Sequence, residues 1–64
     1  MTLNEKLKKA REDAGLSIRQ AAKMLGKNSH DIITKWESGE RKPKLENLKK
    51  LAMIYNVPLS SLIE

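Results

Sequence analysis

Three glycines and one proline-containing step divide this chain into five short segments. Gly15, Gly26 and Gly39 each follow a run in which apolar side chains recur at helical spacing, and residues 56–58 (NVP) separate the last two runs. Glycine often ends a helix because it adopts left-handed backbone angles at little cost. No segment alternates apolar and polar residues as a strand does. The pattern predicts an all-α fold, a compact five-helix bundle.

Polar residues lie where these helices are expected to start. Thr2 with Glu5, and again Ser17 with Gln20, have the spacing of a capping box, in which each side chain bonds to the backbone N–H of the other residue. Pro58 suits the first turn of a fifth helix, since the N–H that proline lacks would be unpaired there.

The expected core consists of the apolar residues at helical spacing. They are Leu3, Leu7, Ala10 and Ala14, then Ile18, Ala21, Ala22 and Leu25, then Ile33 and Trp36, then Leu45, Leu48, Leu51, Ala52 and Tyr55, and finally Leu59, Leu62 and Ile63. Because small domains bury a smaller fraction of their surface, we expect modest stability from 64 residues.

The charge balance favours a polyanionic partner. The formal net charge is +5 and the sequence pI is about 9.8. Long-range attraction to nucleic acid is the first interpretation, although many small proteins are basic for solubility alone.

Several function classes are disfavoured by composition. The chain has no cysteine and only His30 as histidine, so neither a disulfide framework nor a zinc site is expected. No residues suggest paired carboxylates or a nucleophile with a base, so we expect no enzyme and no cofactor. No apolar run approaches the roughly 20 residues of a membrane span, and the N-terminus is charged where a signal peptide is apolar. We expect a cytoplasmic protein without membrane contact.

The third predicted helix, residues 29–38, has two unlike faces. Ser29, or Asn28, is its expected cap. At about 100° per residue, Ile33, Trp36 and Glu37 share one side, while the other side has short polar residues, namely Asp31, Thr34, Lys35 and Ser38. Such a polar face suits insertion into the major groove of DNA, and it equally fits an ordinary solvated helix.

In several blocks the sequence resembles the Cro and phage-repressor type of helix-turn-helix, the XRE family. The matching blocks are LKKAREDAGLS (7–17), AAKMLG (21–26), IITKWESGERKPKLENLKKLA (32–52) and YNVPLSSLI (55–63). The most specific part contains Trp36, Glu37, Gly39, Arg41, Pro43 and Leu45. The blocks cover nearly the whole chain in the family's order.

The resemblance implies a sequence-specific DNA-binding domain of a bacterial or phage transcription regulator, expected to repress by occupying an operator. Residues 1–64 would be one domain, with the helix-turn-helix at about 17–38, a supporting helix at 17–25 and a recognition helix at 29–38. The implied base contacts are Ser29, His30, Asp31, Thr34 and Lys35. The implied phosphate contacts are Ser17, Arg19, Gln20, Lys27, Asn28, Ser38, Arg41, Lys42 and Lys44.

Residue chemistry is compatible with two of these base contacts. Lys35 can donate to guanine O6 or N7, and Asp31 can accept from the amino group of cytosine. Because phosphates repel a carboxylate, Asp31 has an alternative role, in which it only caps its own helix and excludes unsuitable sequences.

The family's pattern also implies that Arg11 and Glu37 pair inside the fold. The chain departs from that pattern twice. Ile18 stands where many relatives have a glutamine that holds a phosphate, so that contact is not expected here. Nine residues, 27–35, separate Gly26 from Trp36, one more than is common, and the extra residue should lengthen the turn before the recognition helix.

Relatives bind two-fold symmetric operators as dimers, whereas the apolar residues of this chain are largely needed for one core. We therefore expect a monomer in free solution that forms a homodimer on a two-fold DNA operator, through residues near 59–63 or through a further C-terminal region. The rival interpretation is a protein-interaction module, an antitoxin or adaptor. Exposure of Ile32, Met53 and Ile54 would favour it.

Overall fold

A computed structural model describes residues 1–26 and 30–63, and the regular structure in these ranges is helical. The helices are α1 (Leu3–Asp13), α2 (Ile18–Leu25), α3 (Asp31–Ser38), α4 (Leu45–Ile54) and α5 (Ser60–Ile63). The Cα radius of gyration is 10.2 Å, close to the roughly 11 Å expected for a compact chain of this length. The predicted all-α five-helix bundle is confirmed. Within the described ranges, no helix combines the length and apolar character needed to cross a membrane.

Both predicted capping boxes are present. The Glu5 N–H donates to Thr2 Oγ1, and the Thr2 N–H donates to Glu5 Oε1 at 3.3 Å. The hydrogen bonds that Thr2 donates also lower the pKa of Glu5. At the start of α2 the Gln20 N–H donates to Ser17 Oγ at 3.1 Å, and the Ser17 N–H donates to Gln20 Oε1 at 2.8 Å. Each box satisfies donors that would be unpaired at a helix start.

Two helices begin later than predicted. The third helix starts at Asp31 rather than at 29, and His30, at the N-cap position, makes no side-chain cap bond. The predicted caps Ser29 and Asn28 lie outside the described residues. Helix α5 starts at Ser60 rather than at Pro58. Pro58 belongs to a tight turn before the helix, in which its carbonyl accepts from the Ser61 N–H at 3.0 Å.

One continuous core joins the helices. It contains Leu7, Ala10, Ala21, Ala22, Leu25, Ile33, Trp36, Leu48, Leu51, Ala52, Tyr55 and Leu62. The predicted burial of Ala14, Leu45 and Ile63 is wrong, since all three are exposed. Leu45 is the first residue of α4, Ile63 is the last of α5, and Ala14 follows the last residue of α1. A neighbouring helix covers the middle of a helix face more completely than its ends. Helical spacing alone therefore overestimates the burial of residues at helix ends.

Candidate nucleic-acid interface

Helix α3 divides between core and surface as its sequence predicts. Ile33 and Trp36 are almost fully buried, whereas Asp31, Thr34, Lys35 and Ser38 are exposed on the outer side. Ala22 is buried on α2, and α2 packs against both α3 and α4. The polar face of α3 is thus held outward by an apolar face that cannot leave the core without a large loss of burial.

Hydroxyl groups on this face are already engaged within the helix. Thr34 Oγ1 donates to the His30 carbonyl at 3.3 Å, and Ser38 Oγ donates to the Lys35 carbonyl at 3.1 Å. A hydroxyl has one donor and two acceptor lone pairs, so in this arrangement Thr34 can offer a methyl group and an acceptor to a base edge. A phosphate contact donated by Ser38 would have to replace its bond to Lys35.

His30 and Asp31 lie side by side at the start of α3. Their side chains are both exposed, and 3.9 Å separates His30 Nε2 from Asp31 Oδ1. A carboxylate in the first turn interacts favourably with the partial positive charge at a helix N-terminus. Exposure also leaves that carboxylate accessible to an amino group of a base. His30 occupies the N-cap position and Asp31 the first helical position, so in place of the predicted cap Asp31 supplies a favourable charge at the helix N-terminus.

The start of α2 presents the predicted phosphate contacts Ser17, Arg19 and Gln20 on exposed positions. The capping box directs Gln20 Oε1 to the Ser17 N–H, so the opposite corner of the carboxamide, Nε2, is the part that can donate to a phosphate oxygen. Ile18 is half-buried against the core. This packing agrees with the expectation that Ile18 makes no polar contact.

A short basic loop follows α3. Arg41, Lys42 and Lys44 are exposed in it, while Pro43 between them is buried. The Arg41 N–H donates to the Lys35 carbonyl at 3.2 Å, and the Glu40 N–H donates to Ser38 Oγ at 3.3 Å. These bonds hold the basic side chains next to the C-terminal end of the candidate recognition helix.

Helix α3 is tied to α1 at its C-terminal end. Arg11 Nε donates to Glu37 Oε2 at 2.7 Å, and Arg11 Nη2 donates to Glu37 Oε1 at 3.1 Å, so the predicted pair is confirmed. Arg11 Nη1 also donates to the Leu16 carbonyl at 2.7 Å. This third bond holds the turn between α1 and α2 to the same guanidinium.

Sequence reasoning missed one residue at this junction. Asn4 Nδ2 donates to the main-chain carbonyl of Glu37 at 3.3 Å. The two residues are 33 positions apart, and no local pattern marks an amide in the first turn of α1 as a partner of another helix.

Three predicted contacts have no described position. Lys27, Asn28 and Ser29, and with them the lengthened turn, lie outside the described residues.

The order of the helices, the close packing of α2 against α3 and the outward polar face of α3 define a helix-turn-helix protein. A sequence model of the family described as helix-turn-helix matches residues 7–62. The chain belongs to that family, in its Cro and phage-repressor (XRE) branch.

One similar protein is the HTH-type transcriptional activator BcrR of Enterococcus faecalis, which is 36% identical over 63 residues. The match covers 98% of this chain and 30% of that relative. The chain thus spans less than a third of the length of the curated relative that it matches.

Proposed function

We propose that this chain is a sequence-specific DNA-binding domain of a bacterial or phage transcription regulator, with residues 1–64 acting as one domain. The single observation that supports this most is the polar outer face of α3, held outward by the burial of Ile33 and Trp36 and followed directly by a basic loop. In this proposal the loop and the start of α2 neutralise phosphates and set the register. The exposed residues of α3 read base edges in the major groove.

The contacts divide into two sets. The proposed base contacts are Ser29, His30, Asp31, Thr34 and Lys35. The proposed phosphate contacts are Ser17, Arg19, Gln20, Lys27, Asn28, Ser38, Arg41, Lys42 and Lys44. Because its partner would be DNA, the protein would act in the cytoplasm.

Selection from random duplex DNA tests the proposal. The chain is expected to enrich one sequence, and the enriched site should bind more tightly than an unrelated duplex at the same salt concentration. A matched pair of variants then separates the two contact sets, with Lys35→Ala on α3 and Lys42→Ala in the loop. Selection that enriches no sequence at moderate salt would contradict sequence-specific binding.

We propose repression as the regulatory output, by occupation of an operator that overlaps a promoter. The similar protein from Enterococcus faecalis is named an activator, so the position of the operator, rather than this domain, would determine the direction of regulation. A reporter gene with the selected site moved from within the promoter to a position upstream tests this. Loss of expression only at the overlapping position supports repression by occlusion.

Pairing on DNA is part of the proposal. The chain would be a monomer in free solution and a homodimer on a two-fold operator, since two recognition helices one helical turn apart meet successive major-groove faces. Of the apolar residues in the expected contact region 59–63, Leu62 is buried, whereas Ile63 is 53% exposed. On α4, Met53 is 82% exposed. These two side chains are the best candidates for apolar contact between copies.

Sedimentation equilibrium without DNA and a band-shift titration on a symmetric site test this assembly together. A stable dimer without DNA would contradict the free monomer, and saturation at one chain per two-fold site would contradict the pairing.

The packing of the relevant side chains speaks against the rival interpretation, a protein-interaction module. That interpretation needs a cluster of exposed apolar groups at Ile32, Met53 and Ile54. Ile32 and Ile54 are half-buried against the core, which leaves Met53 as the exposed member of the set. Met53 by itself does not form the cluster of exposed apolar groups that this interpretation needs.

A further inference from the structure

Asn4 makes a direct bond to the main chain of the candidate recognition helix. Its Nδ2 donates to the Glu37 carbonyl at 3.3 Å. Its carboxamide is also near Gly39, which follows the helix, since a Cβ added there would lie in ordinary van der Waals contact, 3.5 Å from Asn4 Cγ. One half-buried side chain on α1 therefore donates a hydrogen bond to the main chain of α3 and lies near its C-terminal end.

The Glu37 carbonyl is one of the last four of α3, which have no acceptor role inside the helix. Gly39, two residues further along, has φ at +83° and ends the helix. At the other end of α3, His30 supplies no side-chain cap bond. Among the described residues, the side-chain hydrogen bonds that reach α3 from another helix all end on Glu37, two from Arg11 and one from Asn4.

The two partners of Glu37 restrain α3 differently. Arg11 holds the carboxylate, and three rotatable side-chain bonds separate that carboxylate from the backbone, so the helix can turn slightly while the ion pair persists. Asn4 holds the main-chain carbonyl itself. Core packing by Ile33 and Trp36 holds the helix as a whole, and the bond from Asn4 adds a direct restraint on the α3 main chain relative to α1.

We propose that Asn4 is a positioning residue for DNA recognition, which sets the orientation of α3 and thereby the reach of Thr34 and Lys35 without touching DNA. This inference rests on the proposed DNA-binding function. Recognition of a base edge requires hydrogen-bond geometry within a few tenths of an ångström. Contacts to phosphate by flexible lysine and arginine side chains tolerate more displacement. Loss of the Asn4 bond should therefore reduce discrimination between sequences and leave general DNA affinity nearly unchanged.

The test compares two dissociation constants, one for the selected site and one for an unrelated duplex, at one salt concentration and a temperature at which circular dichroism shows every variant folded. In Asn4→Ala the ratio of these constants should fall about 2- to 10-fold, the equivalent of one hydrogen bond, while binding to the unrelated duplex stays within twofold. Asn4→Asp provides a second variant of the same size that cannot donate, and a carboxylate is tolerated in the first turn of α1.

Thr2→Ala is the matched control. It removes the capping box of the same helix but keeps Asn4, so it destabilises α1 without releasing α3. Its discrimination ratio should equal that of the parent.

Three results would overturn the inference. They are an unchanged ratio in both Asn4 variants, an equal loss of affinity for both duplexes in Asn4→Ala, which would make Asn4 a phosphate contact, and a loss of discrimination in Thr2→Ala as large as in Asn4→Ala. Failure of the proposed function looks different, because the parent chain would then itself show no preference between the duplexes.

Discussion

Arg11 and Glu37 form a two-point ion pair that joins α1 to the end of α3. The distances are 2.7 Å for Nε to Oε2 and 3.1 Å for Nη2 to Oε1, and the side chains are only 11% and 8% exposed. The hydrogen bond to Glu37 raises the pKa of Arg11, so the guanidinium stays charged despite its burial.

Breaking this pair should be costly. We expect Glu37→Ala to lower the free energy of unfolding by about 3–5 kcal/mol, because it leaves a buried charge unpaired. The double variant Arg11→Met with Glu37→Leu should be more stable than Glu37→Ala. Urea titration followed by Trp36 fluorescence measures both values.

Lys9→Ala is the control, since the side chains of the Lys9–Asp13 pair, 3.2 Å apart, are 60% and 66% exposed and the pair should contribute less than about 1 kcal/mol. Equal effects at the two pairs would contradict this prediction.

Trp36 should be essential for folding. It is 4% exposed in the core, so Trp36→Ala should cost roughly 3–5 kcal/mol. A protein this small is expected to unfold near room temperature after such a loss. Thermal unfolding by circular dichroism measures the change. Met53→Ala, at an exposed position, should melt within a few degrees of the parent, and a Trp36→Ala variant that did the same would place the indole outside the core.

Because of Tyr55, the free energy of unfolding should fall as the pH rises in the alkaline range. Burial, with a smaller contribution from the charge of Glu37, raises the pKa of Tyr55 to about 12 from the usual 10.0. The unfolded chain therefore loses this proton at a lower pH than the folded chain. The associated stability is complete below about pH 10 and is lost as the pH rises to 12, by about 2–3 kcal/mol in all.

Urea titrations of the parent and of Tyr55→Phe between pH 9 and 12 test this expectation. The phenylalanine variant should lose less stability over that interval, because it has no phenolic proton to release. Titration of the lysines affects both chains and so cancels in the comparison. Parallel curves for the two proteins would contradict the raised pKa.

The salt dependence of DNA affinity, together with variants at Lys35 and Lys42, should distinguish phosphate contacts from base contacts. If Arg19, Arg41, Lys42 and Lys44 neutralise about four phosphates, log affinity should fall against log salt with a slope of roughly −3 to −4 per domain. Lys42→Ala should weaken binding to all sequences similarly and should reduce the magnitude of the slope by about 1. Lys35→Ala should instead cost roughly 1–3 kcal/mol on the preferred site and relax one base pair. Band shifts at several salt concentrations measure these effects, and equal losses on specific and random DNA would make Lys35 a phosphate contact.

Local signals in the sequence were sufficient for much of the fold. The capping boxes at Thr2 and Ser17 and the left-handed glycines depend on neighbouring residues, so the sequence alone could indicate them. The buried face of α3 follows from helical spacing. The Arg11–Glu37 pair came from resemblance to a family, because its partners are 26 positions apart and either residue read alone could be an exposed charge.

Tertiary geometry determined what could not be predicted. Whether Leu45 is covered depends on where a neighbouring element ends, and helical periodicity has no information about that. The bond from Asn4 to Glu37 joins the first turn of one helix to the last turn of another. The engaged hydroxyl of Thr34 changes which chemical groups it can offer to a base, and residue type does not reveal this choice.

The length of α3 limits how rare a DNA site one domain can single out. Eight helical residues, Asp31–Ser38, extend about 12 Å, the length of roughly three to four base-pair steps. A sequence of four base pairs recurs by chance about once in 256 positions, against roughly a million or more competing sites in a genome. Two copies reading a proposed two-fold site would specify about eight base pairs and raise that interval to about 65,000 positions. With a recognition helix this short, the number of base pairs that are specified increases when copies of the domain are added.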